Sequence, residues 1–430
     1  MPKDLTTGSV FKNVLYFSLP YLLSYFLQTL YGMADLFIIG QFEGTASITA
    51  VSIGSQLMHM ITVMLVGLAM GVTVGIGRAV GAHDERGAGA VIGNAVTLFL
   101  AVSVVLAAVL TALVQPILSV MSTPAEAVPG AAAYLTICFI GIPCITAYNI
   151  IASIFRGLGD SRSPMYFIAV ACAANIALDY LFMGALHMGP AGAALGTTLA
   201  QGISVAVSLV VILRRKSGVR LRKSDLLPKK PVTGRILRIG VPVALQDGLI
   251  QISFLLITVI ANRRGLTDAA AVGIVEKIIS FIFLVPSSML STVSALGAQN
   301  VGAGKHDRAA RTLYYAIGIS LTFGAIVGVL VQFIAPMPWR CLPPMPPWLR
   351  RAAGTCAGIS GTVSLRASTS ASAATSARMA AASFRFCTTF WPSCWCACRG
   401  RISCRSCSRT RCCPWAWLPP PGRCCRCSSV

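Results

Sequence analysis

Three polar side chains fall where polar side chains are costly. Asp35, Asn175 and Asp179 each lie within a long apolar run. An ionisable group inside hydrocarbon is expensive enough to mark a functional candidate by default. Asn175 and Asp179, four residues apart, share a helical face. A carboxylate desolvated between helices takes up a proton more readily than one in water. Its protonation state can then bias one conformation against another. The competing reading puts Asp35 and Asp179 at the outer ends of their runs, solvated. Glu276 and Asp247 are two further acidic candidates; Glu276 is followed by Lys277, and adjacent residues do not share a helical face.

Gln28, Tyr134, Tyr148, Asn149, Gln246 and Gln251 form a second set. Hydrogen bonds and cation–π contact from such residues suit the lining of a cavity for amphipathic cations, although they more often join helices. Met58, Met60, Met64 and Met70 read as packing. His59, His83, His187 and His306 share no ligand spacing, and no Ser-His-Asp constellation stands out, so neither an enzyme nor a metal or cofactor site is expected. The run GVTVGIGRAVGAH (71–83) mimics a phosphate loop, but no strand precedes it and no GK[ST] follows. Gly67, Gly71 and Gly75 instead suit close helix contact.

The elements that carry these residues are set by composition. The 430 residues are 55% hydrophobic and 11% charged, against about 25% charged in a soluble domain. Apolar runs near 14–40, 46–76, 90–115, 130–155, 164–186, 192–213, 236–261, 269–295 and 311–335 are each long enough to cross about 30 Å of hydrocarbon as a helix. An all-α polytopic membrane protein follows, with membrane lipid as its surroundings. Lys3, Lys12, Arg78, Arg86, Arg156, Arg162, the ten Lys and Arg of 214–238, Lys305, Arg308 and Arg311 fall on one side. The breaks at 41–45, 120–129 and 187–191 carry none. The N-terminus is therefore expected inside, at a bacterial-type cytoplasmic membrane. Arg263 and Arg264 are the one exception. The basic stretch reads as a cytoplasmic linker rather than a nucleic-acid patch. The expected divisions are 1–213, six helices; 214–235, linker; 236–337, three helices; and 338–430, a tail.

VGAHDERGA (80–88) returns as VGAGKHDRAA (301–310), 221 residues on, and Pro20 is echoed by Pro242. Two anchors with nearly one period indicate a duplicated six-span unit, a common way to build transporters. A full second copy would bring the spans to twelve and end near residue 434. The tail breaks that pattern. Residues 1–337 carry 22 Lys+Arg against 13 Asp+Glu, whereas 338–430 carry 13 Arg and no acid, with 13 of the 16 cysteines and all six tryptophans. Cys and Trp codons read one base earlier encode Leu, Met or Val, so the tail is expected to be a frameshifted, poorly packed stretch hiding apolar segments. A metal-binding tail is the rival, but its CxC and CC clusters lack the usual CxxC knuckles and histidine.

LQTLYGMADLFIIGQFEG (27–44), FRGLGDSRSPM (155–165), NIALDYLFMG (175–184), GPAGAALGTTLAQ (189–201) and GAQNVGAGKHDRA (297–309) together resemble the multidrug and toxin extrusion transporters. The resemblance covers about residues 10–337. It implies two six-helix bundles in a monomer, and export of amphipathic, often cationic organic molecules driven by protons or sodium. It also implies that Asp35, Asn175 and Asp179 belong to the cation-binding network of the first bundle. Two alternatives remain open: a lipid-linked oligosaccharide flippase of the same superfamily, and a nonfunctional product of a disrupted gene. The first usually lines its cavity with basic residues, and these spans hold almost none.

Overall fold

Backbone amides in hydrocarbon have no water to bond, so an apolar chain satisfies them within helices. The computed structural model describes residues 5–121, 123–214, 225–264 and 279–334. The regular elements among them are α1 (Val10–Phe42), α2 (Thr45–Gly81), α3 (Glu85–Ala112), α4 (Val114–Val120), α5 (Val128–Ile140) and α6 (Ile142–Gly157). There follow α7 (Arg162–Asp179), continued by a π-helical stretch Tyr180–Ala185, then α8 (Gly189–Arg214), α9 (Lys230–Arg264), α10 (Leu284–Gly302) and α11 (His306–Ile334). Among the described residues eight helices are long and apolar enough to span a membrane, or nine if α5 and α6 count as one, in line with the nine expected runs. Glu276 and the tail 338–430 lie outside the described residues.

Several boundaries differ from expectation for local reasons. The run 130–155 is two helices meeting at 48° around Gly141. Pro143, near the start of α6, has no N–H to bond back across the break. Gly141 also packs so closely on Thr198 of α8 that a Cβ there would overlap the threonine side chain. The eighth span runs past 295 to Gly302, its described part being Ile279–Gly302. Much of the expected linker is not a free connection. Lys230–Arg235 already belong to α9, and residues 225–229 are pinned to α3 by Asn94. Its Nδ2 donates to Asp225 O (3.2 Å), and its Oδ1 accepts from Lys229 N (2.6 Å) and Thr233 Oγ1 (3.3 Å).

The repeat is present in the backbone. α2 ends at Gly81 and α10 at Gly302; α3 begins at Glu85 and α11 at His306, both pairs 221 apart. His83 (φ 54°) and Gly304 (φ 73°) take the same left-handed conformation in the two turns. Pro20 and Pro242 both lie inside helices.

The first six spans share an apolar core in which Ile38 and Ile39 of α1, Val51 and Met58 of α2, Leu135 and Phe139 of α5 and Ala193 and Ala194 of α8 are buried. The second copy packs on them mainly near the basic ends of the helices. A Cβ at Gly67 would lie 2.9 Å from the Ala244 backbone of α9, and one at Gly71 would overlap the Ile236 carbonyl. Gly77 and Gly81 stand against Ala298 and Gln299 of α10 in the same way. Gly75 faces Val91 of α3. These small residues let helix backbones approach closely. Gln299 secures the α10 contact by donating to Gly157 O (3.0 Å).

Candidate functional site

The two carboxylates read from the sequence come together. Asp35 descends from α1 and is 3% exposed; Asp179 closes α7 and is fully buried, with Asn175 one turn before it at 2%. Asp35 lies beside Asp179, Asn175 and Thr197. Thr197 Oγ1 of α8 donates to Asp35 Oδ2 at 3.3 Å. Asp35 Oδ1, both oxygens of Asp179 and both amide atoms of Asn175 have no hydrogen-bond partner. The reading that placed these acids in solvent is therefore corrected: helix packing removes both from water.

Local structure explains the placement. Asp179 is the last α-helical residue before the π-helical stretch, a distortion that occurs frequently at functional sites. Gly196 of α8 faces it so closely that any Cβ there would overlap Asp179 Oδ1. Two adjacent carboxyls, an amide oxygen and a hydroxyl form an oxygen-only set. Such a set can share a proton or hold a hard monovalent cation. Among the described residues no group of three or more His, Cys, Asp or Glu could hold a metal ion.

A second polar layer adjoins the first. Tyr31, one turn before Asp35, meets Gln201, one turn after Thr197. Sequence reasoning missed Tyr31, Gly196, Thr197 and Gln201. The signal was present as the i, i+4 pair Thr197–Gln201 in the GTTLAQ run.

Of the remaining candidates, Tyr134 adjoins the cluster, within electrostatic reach of Asp35 and Tyr31, and Tyr148 lies within reach of Tyr31; the others do not join it. Tyr134 is 2% exposed in the apolar core, its ring against Gly54. Tyr148 is buried among Ile151, Phe155 and Phe167. Asn149 is buried and bonds its own helix at Ile145 O (2.8 Å). Gln28, Gln246 and Gln251 are half-buried. Asp247 is half-buried on α9 and already engaged by another group.

Comparison with known proteins places these features in a wider set. The family model MatE matches residues 20–181 and 242–354. "Probable multidrug resistance protein YpnP" of Bacillus subtilis is 30% identical over 305 residues, covering 71% of this chain and 68% of the relative. "Probable multidrug resistance protein NorM" of Thermotoga maritima is 27% identical over 343 residues, covering 79% and 73%. A solved structure described as the outward-facing conformation of a multidrug resistance MATE family transporter superposes with a TM-score of 0.78 at 22% identity, covering 86% of this chain and 83% of that one.

Proposed function

The chain belongs to the MatE family, and from that premise we propose that it is an antiporter that exports amphipathic, often cationic organic compounds by alternating access, driven by protons or sodium. The observation that carries the reading is the buried pair Asp35–Asp179, supported by Asn175 and Thr197. The names of YpnP and NorM, both multidrug resistance proteins, agree with it.

The chemistry follows from burial. Two neighbouring carboxylates in low dielectric repel when both are charged. A proton or sodium ion relieves that repulsion and draws α1, α7 and α8 together; its release loosens them. An ion that binds one arrangement better shifts the population toward it, and only by that difference in affinity. Organic cargo bound in the other arrangement is then carried the opposite way. No enzymatic step and no resident cofactor is part of this proposal; the coupling ion is cargo. The N-terminus is cytoplasmic on the loop charges, and the working unit is one chain in the lipid of a bacterial cytoplasmic membrane.

Ethidium efflux from a drug-hypersensitive bacterium tests the reading, with residues 338–430 read in their apolar frame. Energised cells expressing the protein should extrude ethidium, and Asp179→Asn should reduce the initial rate at least about tenfold, equivalent to about 1.4 kcal/mol. Full efflux by that variant would remove the pair from the mechanism.

A further inference from the structure

Two cations stand at the starts of neighbouring helices, where the helices gain nothing from them. Lys12 lies in the first turn of α1, and Arg162 opens α7. A helix start carries partial positive charge and favours anions. Both side chains are exposed, and among the described residues neither forms an ion pair. The Arg162 guanidinium lies over the Tyr16 ring, 4.6 Å from its centroid. Asp160, the acid nearest to Arg162 in sequence, is spent on capping. Its Oδ1 accepts from the Arg162 and Ser163 amides at 3.0 Å each, and its Oδ2 from Ser163 Oγ at 2.6 Å. Lys305 and Arg308 are committed differently, to the Thr6, Thr7 and Gly8 carbonyls just before α1.

Beyond the cations, the two helices carry matching stripes. Lys12, Tyr16, Leu19 and Leu23 recur at helical spacing on one face of α1, and Arg162, Tyr166 and Val170 do so on α7. All seven are exposed. Leu27 and Tyr31 of α1 pack on Phe167, Ile168 and Ala171 of α7, and Arg162 reaches Tyr16, so the stripes run side by side. Each reads cation, tyrosine, aliphatic from the helix start inward. Lys12 to Leu23 spans about 16 Å, roughly half the hydrocarbon thickness. Tyrosine is enriched at headgroup depth. That order and length match a phospholipid in one leaflet: phosphate, glycerol backbone, acyl chain.

We propose that the starts of α1 and α7 form a binding site for one anionic phospholipid. Its phosphate sits between Lys12 and Arg162, and an acyl chain lies along Leu19, Leu23 and Val170. The headgroup faces the cytoplasm on the orientation read from the loop charges. An anion there offsets two cations and the positive ends of both helices. The lipid bridges the helices that bring Asp35 to Asn175 and Asp179, yet its binding does not depend on export.

The test uses the purified full chain in bilayer discs of phosphatidylcholine. A trace of phosphatidylglycerol with a photoreactive group in its acyl chain is compared with a matched phosphatidylcholine probe. Mass spectrometry of the cross-linked peptides separates α1 and α7 from the arginine-rich residues 338–430. Peptides containing Leu19, Leu23 or Val170 should be labelled at least about fivefold more by the anionic probe. Lys12→Gln should lower that ratio, and Lys12→Gln/Arg162→Gln should bring the probes level while melting close to the unmodified chain. Arg78→Gln/Arg86→Gln removes the same charge from other helices and should keep the ratio. Equal labelling of the unmodified chain by both probes overturns the site, as does a ratio unchanged in Lys12→Gln. An equal loss in Arg78→Gln/Arg86→Gln also overturns it, because the attraction is then diffuse. Millimolar inorganic phosphate should leave the labelling intact; full competition would mark a free-anion site and overturn the lipid assignment.

Discussion

The buried oxygens of Asp35, Asp179 and Asn175, with the half-buried hydroxyl of Thr197 beside them, define what single substitutions should do. Thr197→Val keeps the side-chain shape and removes the donor to Asp35 Oδ2. It should weaken the apparent affinity for the coupling ion by several-fold, the worth of about 1 kcal/mol, measured as the proton or sodium concentration that half-saturates efflux. Gly196→Ala puts a methyl group onto Asp179 Oδ1. It should lower the melting stability by about 1–3 kcal/mol, as overpacking does, and impair coupling with it. The acids themselves were legible in the sequence because charge in an apolar run is conspicuous. Thr197 and Gly196 were not, because hydroxyls and glycines are ordinary in membrane helices and only the approach of α8 to α7 gives them a task.

At the scale of elements, length and periodicity gave nine spans, but interruptions depended on partners. The bend at Gly141 combines a local break at Pro143 with the close approach of Thr198 from α8, and the π-helical stretch after Asp179 has no glycine or proline marker at its start. The docking of residues 225–229 on α3 was hidden within a basic run that reads as solvated. Asn94→Leu removes that anchor and should expose the segment, so that trypsin cleaves after Lys229 many times faster than in the unmodified chain. Buried amides left without partners cost about 1–3 kcal/mol each. The contact between α2 and α10 offers a second test. A Cβ built at Gly77 lies 3.0 Å from the Ala298 Cβ, short of the roughly 3.5–4.5 Å a disulfide spans, so a slight parting of the two helices brings the pair into range. Oxidation of a Gly77→Cys/Ala298→Cys pair should stop efflux, and reductant should restore it. Undiminished efflux in the cross-linked state would contradict alternating access through that contact.

For the whole molecule, the duplication is the strongest signal the sequence carried, and the matching turns at His83 and Gly304 give it a structural counterpart. A full second copy calls for three more spans, whereas the composition changes at 338 to a Cys-, Trp- and Arg-rich stretch. Resequencing codons 330–345 should reveal a shifted base, and restoring the frame should add the three spans that complete the second copy. The central claim is that export is coupled through the buried carboxylate pair. Its most direct measurement is ethidium transport in proteoliposomes of the frame-restored protein, with an imposed proton or sodium gradient and no other energy source. The account predicts transport that collapses when the gradient is dissipated and that is absent in the double variant Asp35→Asn/Asp179→Asn. Gradient-driven transport that persists undiminished in the double variant would contradict it.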